Sequence, residues 1–132
     1  MNTQQDWKPP VMVVEDDPLI GELLSLKLKS AGYNPTLVKN GVEALKRVGE
    51  IKPRMVLLDL GLPKVDGFQV LESLRRDLRF PRLPIVVLTA RQGGEEVRRA
   101  IKLGASDYVT KPFDLSALLK RLAVHLPACA TA

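Results

Sequence analysis

The stretch Val11-Met12-Val13-Val14-Glu15-Asp16-Asp17-Pro18 sets a pattern that recurs along the chain, a short apolar run that leads directly into polar residues. Three later runs do the same: 55–58 ends at Asp59, 85–88 at Thr89-Ala90, and 108–110 at Lys111-Pro112. Short runs of Val, Ile and Leu are typical of strands buried on both faces of a parallel sheet. Because ligands bind beyond the carboxyl ends of such strands, we expect these terminal residues to share one crevice.

Strand-like and helix-like segments alternate five times after a short arm, with a weaker strand at 33–38. Helices are predicted where apolar residues recur at helical spacing: Ile20, Leu23, Leu24, Leu28; Val42, Leu45, Val48; Phe68, Leu71, Leu74, Leu78; Val97, Ala100, Ile101; and Leu115, Leu118, Leu119, Leu122. Pro18 suits a first helical turn, Asp114 suits an N-cap, and Gly32 and Gly104 suit helix ends. Repeated β–α units predict an α/β fold, with a five-stranded parallel sheet and helices on both faces.

Composition indicates an ordinary globular domain, with 45% hydrophobic and 27% charged residues in a chain of 132. No apolar stretch approaches the ~20 residues that span a bilayer. The first residues lack a signal peptide's apolar core, and the single cysteine, Cys129, cannot form an internal disulfide, so we expect a cytoplasmic protein without membrane contact. The net charge of +5 favours acidic partners or simply solubility.

Asp59 is the candidate nucleophile, because a carboxylate at a strand end can attack a phosphoryl group and form an aspartyl phosphate. Repulsion between the two anions must then be cancelled, and Mg²⁺ does this with oxygen ligands. We predict that Asp16 and Asp59 bind the metal directly, Glu15 directly or through water, and Gly61 through its backbone carbonyl. Thr89 would bond a phosphoryl oxygen, Ala90 would expose backbone N–H groups, and Lys111 would supply a positive charge.

Each of these residues also has an ordinary structural interpretation. The acids from Glu15 to Asp17 could merely cap a helix, and Asp59 could be a turn residue. Thr89 and Lys111 could be structural or solvated. All four strand ends carry such a residue, however, and this joint pattern favours a phosphoryl-transfer site.

Four motifs resemble the receiver domain of bacterial two-component response regulators (CheY-like). They are Val13-Val14-Glu15-Asp16-Asp17-Pro18, Leu57-Leu58-Asp59 with Pro63 and Asp66-Gly67, Leu88-Thr89-Ala90, and Gly104-Ala105-Ser106-Asp107-Tyr108-Val109-Thr110-Lys111-Pro112-Phe113. The resemblance covers about residues 11–126, between an N-terminal arm at 1–10 and a tail at 127–132. It implies the flavodoxin-like (βα)5 receiver fold, strand order 2-1-3-4-5, and a cis Lys111–Pro112 bond.

The resemblance also implies roles for the residues at the site. Asp59 would accept phosphate from the phosphohistidine of a sensor histidine kinase or phosphotransfer protein, with Mg²⁺ (alternatively Mn²⁺) on Glu15, Asp16, Asp59 and the Gly61 carbonyl. Thr89 and Tyr108 would form a switch pair that alters binding of a downstream protein at the face made by the fourth helix, fifth strand and fifth helix. The chain would act as a phosphorylation-activated switch, catalysing only its own phosphorylation and slow dephosphorylation.

Two positions near the phosphoryl group suggest a long-lived phosphorylated state. Gly61 has no side chain to orient an attacking water, and Arg91 is predicted to lie over the phosphoryl group and slow hydrolysis. Tyr108 has an alternative interpretation as a strand aromatic packed under the fourth helix.

Other function classes fit these residues less well than the switch. Phosphatases resembling haloacid dehalogenases need a second acid where this chain has Gly61, and a phosphorylation-independent adaptor would be expected to lack a site residue. The chain could also be a receiver taken from a DNA-binding regulator or hybrid kinase, although Ala105-Ser106-Asp107-Tyr108 departs from the Ala-Asp-Asp-Tyr typical of the winged-helix class.

The basic residues of the fourth and fifth helices are expected to form a solvated face, rather than a nucleic-acid contact: Arg98, Arg99, Lys102, Lys120 and Arg121. Without a helix-turn-helix segment or output domain, specific DNA binding by this chain is not expected. We expect a monomer or a phosphorylation-dependent dimer. His125 is interpreted as a surface residue that complements a helix dipole, and Trp7 as packed on the body or mobile.

Overall fold

Five strands and five helices alternate along the computed structural model, which describes residues 7–62, 66–90 and 94–128. The strands are β1 (Pro10–Val14), β2 (Asn34–Val38), β3 (Met55–Asp59), β4 (Ile85–Thr89) and β5 (Asp107–Thr110). The helices are α1 (Pro18–Ser30), α2 (Gly41–Ile51), α3 (Gly67–Arg76), α4 (Gly94–Lys102) and α5 (Leu115–His125). All strands are parallel and lie in the order β2-β1-β3-β4-β5, which confirms the predicted fold.

The sheet separates two apolar clusters because side chains alternate between its faces. One face, with Val56, Leu58 and Val87, packs against α2, α3 and α4. The other face, with Leu57 and Val86, packs against α1 and α5. Every residue of β3 and β4 is buried, as expected for strands covered on both faces.

Helix ends follow their local sequence signals. Pro18 opens α1, and the carboxylate of Asp17 accepts the Leu19 N–H at 2.9 Å. Asp114 caps α5 as predicted by accepting the Ser116 N–H at 3.1 Å. Gly32 and Gly104, which follow α1 and α4, have φ angles of 100° and 108° that favour glycine. The Lys111–Pro112 peptide bond is cis, as the resemblance implies.

The prediction that Leu78 belongs to the third helix is wrong. α3 ends at Arg76, and Leu78 is 91% exposed. Asp77 is extended, and its carboxylate accepts the backbone N–H of Arg79 at 3.0 Å and binds the Arg79 side chain at 2.7 Å, a local turn that competes with the helix. Three other apolar residues that were predicted to face the core from their helices are about half exposed: Leu23, Val42 and Ile101.

The N-terminal boundary differs by one residue from the predicted arm at 1–10. Pro10 belongs to β1, and Trp7 is half exposed with the Arg54 guanidinium 5.2 Å from its ring centroid. Cys129 lies outside the described residues. Across the described ranges, no helix has both the length and the apolar character needed to cross a membrane.

Candidate functional site at the carboxyl edge of the sheet

Three acids meet where β1 and β3 end. The two strands pair in parallel with Val14 opposite Leu58, so Glu15 and Asp59 come next to each other. Carboxylate oxygens of Glu15, Asp16 and Asp59 lie within 4.8 Å of one another. Glu15 and Asp59 are buried, whereas Asp16 is exposed. The structure therefore brings the three predicted carboxylates together in one cluster.

Lys111 joins this cluster from the loop after β5. Its Nζ lies 3.0 Å from Asp59 Oδ2 and 3.3 Å from Glu15 Oε1. Burial by itself lowers the pKa of Lys111, but the hydrogen bond and charge of Asp59, together with Glu15, outweigh it and raise the pKa. Lys111 is consequently a firmly charged ammonium at the nucleophile candidate.

The cluster holds more negative charge than Lys111 neutralises. Burial, followed by the interaction with the Asp59 carboxylate, raises the pKa of Glu15 from 4.5 to about 7. Buried carboxylates in contact are stabilised when a cation shares them, and three carboxylates are a donor set that suits a hard divalent ion such as Mg²⁺. The residues present therefore fit such an ion. A ligand role for the Gly61 carbonyl stays a prediction.

Both oxygens of Asp59 are held in place. Oδ2 faces Lys111, and Oδ1 accepts the backbone N–H of Gly61 at 2.9 Å. The following loop returns close to the strand, because a Cβ on Gly67 would lie 2.6 Å from the Leu60 Cα. Glycine at the start of α3 thus allows the helix to begin directly against the backbone that follows Asp59.

Thr89, at the end of β4, is buried and donates its hydroxyl hydrogen bond to Glu96 Oε2 at 3.2 Å. Glu96 lies in the first turns of α4, and sequence reasoning missed it because acids are common near helix N-termini for electrostatic reasons. A cavity of about 160 Å³ beside Thr89 is lined by Leu60, Gly61, Phe68, Thr89, Ala90 and Glu96. Ala90 is exposed and lines this cavity.

Tyr108 is half-buried and packs against the apolar cluster that contains Ala100 of α4. It pairs in register with Val87, two residues before Thr89. The Arg121 guanidinium lies 5.9 Å from its ring centroid. This position agrees with the packing interpretation of Tyr108 and also places its ring on the strand next to that of Thr89.

His125 lies in the last turn of α5, where a role in complementing the helix dipole was predicted, and its Nε2 also lies 3.0 Å from Asp107 Oδ2. Asp107 also accepts two hydrogen bonds at 2.8 Å from Arg121. Burial by itself raises the pKa of Asp107, but the bonds from Arg121, His125 and the Tyr108 N–H lower it from 3.8 to about 2. Arg121 is therefore not simply solvated, and Arg99 is engaged as well, with its guanidinium 4.1 Å from the Phe68 ring centroid.

The three consecutive acids after β1 do not all have the same role: one caps a helix and two belong to the candidate metal site. Asp17 caps α1, so the structural interpretation holds for it, whereas Glu15 and Asp16 join the acidic cluster. Arg91, predicted to cover the phosphoryl group, and Pro63 of the resemblance motif lie outside the described residues.

The structure is an open parallel α/β sheet of the doubly wound class, in which ligands bind beyond the carboxyl ends of the strands, and here that edge carries a carboxylate cluster and a lysine. Residues 11–123 match the response regulator receiver domain family. The chain belongs to this family.

Comparison with named relatives and with solved structures gives the same family. A DNA-binding dual master transcriptional regulator, RpaA of Synechocystis, is 39% identical over 114 residues, covering 86% of this chain and 47% of the relative. Chemotaxis response regulator CheY4 of Vibrio cholerae superposes with a TM-score of 0.85 at 28% identity, covering 89% of this chain and 98% of that one. The BeF3-activated N-terminal receiver domain of Klebsiella pneumoniae RstA gives 0.82 at 33% identity, covering 89% and 97%. The chain spans about half the length of the curated relatives it matches.

Proposed function

We propose that this receiver domain is a phosphorylation-activated switch in which Asp59 accepts a phosphoryl group from the phosphohistidine of a histidine kinase or phosphotransfer protein. The observation that carries the proposal is the environment of Asp59. It is a buried carboxylate at a strand end, 3.0 Å from the Lys111 ammonium and clustered with Glu15 and Asp16. Such a group is held in position by its surroundings, with positive charge beside the oxygens that would react.

In the transfer, an oxygen of Asp59 forms a bond to phosphorus while the bond from phosphorus to the donor imidazole nitrogen breaks. The electron pair of the broken bond stays on that nitrogen. The imidazole leaves as a neutral ring when one of its two nitrogens carries a proton. Lys111 stays within reach of Asp59 and stabilises negative charge on the phosphoryl oxygens. Mg²⁺ held by Glu15, Asp16, Asp59 and the Gly61 carbonyl, with Mn²⁺ as a substitute, would neutralise charge between the two anions.

Thr89 links this chemistry to the surface. Its hydroxyl carries one proton, which is donated to Glu96 in this structure. A phosphoryl oxygen on Asp59 would compete for that proton, and its negative charge would repel the Glu96 carboxylate. Loss of the bond would loosen the first turns of α4 and change the packing of Tyr108 beside it, so the face of α4, β5 and α5 would present a different surface to a protein partner.

The first test is phosphorylation by a small donor. The chain incubated with phosphoramidate and Mg²⁺ should gain the mass of one phosphoryl group, and the gain should disappear with EDTA. Asp59→Asn should abolish it. Asp114→Asn is the matched control, because it removes a carboxylate but keeps an N-cap residue, and it should be phosphorylated normally. Phosphorylation of Asp59→Asn at the normal rate would contradict the assignment of Asp59.

A second proposal concerns the whole protein. Relatives such as RpaA are named DNA-binding and are about twice as long as the match, which favours the same switch acting within a longer DNA-binding regulator. Solution size measured with and without Mg²⁺ and beryllofluoride separates the cases. A beryllofluoride-dependent dimer would support the longer regulator, and an unchanged monomer would support a single-domain protein.

A further inference from the structure

A second concentration of charge lies at the opposite edge of the sheet, where β3 and β4 begin. A cavity of about 420 Å³ is lined there by four basic residues, Lys52, Arg54, Arg82 and His125, and by an apolar wall that includes Phe80 and Leu83. We call this cavity the basal pocket. It is separated from Asp59 by the length of β3, about 13 Å. It is therefore distinct from the acidic cluster.

Three of the four basic residues of the basal pocket are not neutralised within the part of the chain that the structure describes, whereas His125 is bound to Asp107. No ion pair there involves Lys52, Arg54 or Arg82, and no acid lines the pocket. The neighbouring carboxylates of Asp77 and Asp107 are already bound to arginines. Like charges gathered in a concave surface create a positive potential that attracts an anion.

The backbone of Lys52 points to a role for its side chain. Lys52 ends α2 in the left-handed conformation, with φ 50° and ψ 58°, and is the single non-glycine residue with positive φ in the described ranges. Glycine or asparagine adopts this conformation at lower cost. Backbone stability therefore does not favour lysine at this position. Binding of an anion by its ammonium group would explain why lysine is present.

We propose that the basal pocket binds a phosphate-bearing small molecule of nucleotide size. Guanidinium and ammonium groups recognise phosphate through charge-assisted hydrogen bonds. The volume lies within the range of roughly 300–1,000 Å³ typical of small-molecule sites. Phosphate alone would leave most of this space empty, while Phe80 and Leu83 offer apolar surface to the uncharged part of a larger ligand. The proposal does not depend on phosphorylation of Asp59.

The chain carries two native reporters for this site. His125 is its one histidine and lines the pocket, and Trp7 is its one tryptophan, with Arg54 stacked on the ring. ATP titrated into the full chain with EDTA present should change both the His125 ring resonances and the Trp7 fluorescence, saturably and with one Kd. Added salt should weaken binding. Adenosine should not bind, and inorganic phosphate should affect the same residues at much higher concentration.

Charge-removing variants test the assignment to this pocket. Lys52→Asn keeps a residue suited to the left-handed backbone, and Arg82→Gln keeps a polar side chain, so both should fold. Each should weaken ATP binding about three- to tenfold. Lys46→Gln removes one charge from an exposed position of α2 outside the pocket and should leave the Kd unchanged.

Four outcomes would overturn the proposal. They are no saturable response at millimolar ATP, equal weakening by Lys46→Gln, phosphate binding as tightly as ATP, and binding of a single-stranded oligonucleotide in preference to ATP. The third outcome would mean a site for free phosphate, and the fourth a nucleic-acid surface.

Discussion

The neighbouring strands β4 and β5 pair over four positions, yet they differ sharply in their surroundings. All five residues of β4 are buried, whereas all four of β5 are only partly buried. β4 is held by apolar packing on both faces. β5 is held in part by charged side chains, through the contacts of Asp107 with Arg121 and His125.

If the domain acts as the proposed switch, this difference gives the two strands different roles: β4 positions Thr89, and β5 allows Tyr108 to rearrange. Thr89, whose strand ends beside that of the proposed phosphoacceptor Asp59, lies at the end of the fully buried strand. Tyr108 sits on the adjustable one, where side chains can rearrange without opening a buried core. A switch needs both properties, because the local event must be positioned and the surface must be free to respond.

The largest expected effect is on stability, and it comes from matched deletions on the two strands. Val86 and Val109 belong to the same apolar cluster on the α5 side of the sheet. Val86→Ala should lower the free energy of unfolding by about 2–3 kcal/mol, because it leaves a cavity in a fully buried position. Val109→Ala should cost about 1 kcal/mol. Urea denaturation measures both, and equal losses would break the comparison.

Asp107→Asn should lower stability by about 1–2 kcal/mol near neutral pH, since Arg121 is half exposed and its ion pair is screened. The pKa of Asp107 is depressed on folding, from 3.8 to about 2. Its stabilisation is therefore complete above pH 3.8 and is lost as the pH falls through about 2, so the two proteins should converge in stability there.

A second carboxylate–guanidinium pair provides the control for the stability loss of Asp107→Asn. Asp77→Asn breaks a carboxylate–guanidinium pair with Arg79 that lies away from β5. It should change stability less than Asp107→Asn. A larger loss from Asp77→Asn would show that charged contacts do not specifically hold β5.

Glu96→Gln tests the link between Thr89 and α4. The amide still accepts the Thr89 hydroxyl, but more weakly, and it no longer repels a phosphoryl group. We expect beryllofluoride to bind about fivefold more tightly in the presence of Mg²⁺. Glu95→Gln, one position earlier on α4, is the matched control and should leave the affinity unchanged. An effect shared by both variants would reflect only the lost charge.

The smallest effect on the chemistry is expected from Tyr108→Phe. Phosphorylation of Asp59 should proceed at the normal rate, because Tyr108 lies outside the acidic cluster. The beryllofluoride-induced amide shifts should persist near Asp59 and shrink along α4 and β5, with a matching loss of partner binding. Undiminished shifts along β5 would count against the role of Tyr108 in the switch.

The fold was predictable because its signals are local and redundant. The apolar runs of β1, β3 and β4 and the caps at Asp17, Asp114 and Gly104 each follow from neighbouring residues. Leu78 shows the limit of that reasoning, because its helical spacing was correct but a contact between Asp77 and Arg79 ends the helix first.

The residues of the candidate site that lie at strand ends could be predicted from the sequence, whereas the residues that surround them could not. Glu15, Asp59 and Lys111 occur at strand ends, and a parallel sheet must bring such positions together. Glu96 and the group formed by Asp107 and His125 gave no comparable signal. Acids and histidines are common on protein surfaces, and separations of seven and eighteen residues between a strand and the following helix do not predict a contact.

The sequence by itself determined the order of strands and helices, the acids and lysine of the site, and the family. These depend on hydrophobic period and on residues at strand ends, which are local properties. Only the tertiary structure decided which charges are paired. It bound Thr89 to Glu96 and Asp107 to His125, and left Lys52, Arg54 and Arg82 lining the basal pocket. Pairing depends on distances between side chains that lie on different elements, and only packing of the helices on the sheet sets those distances.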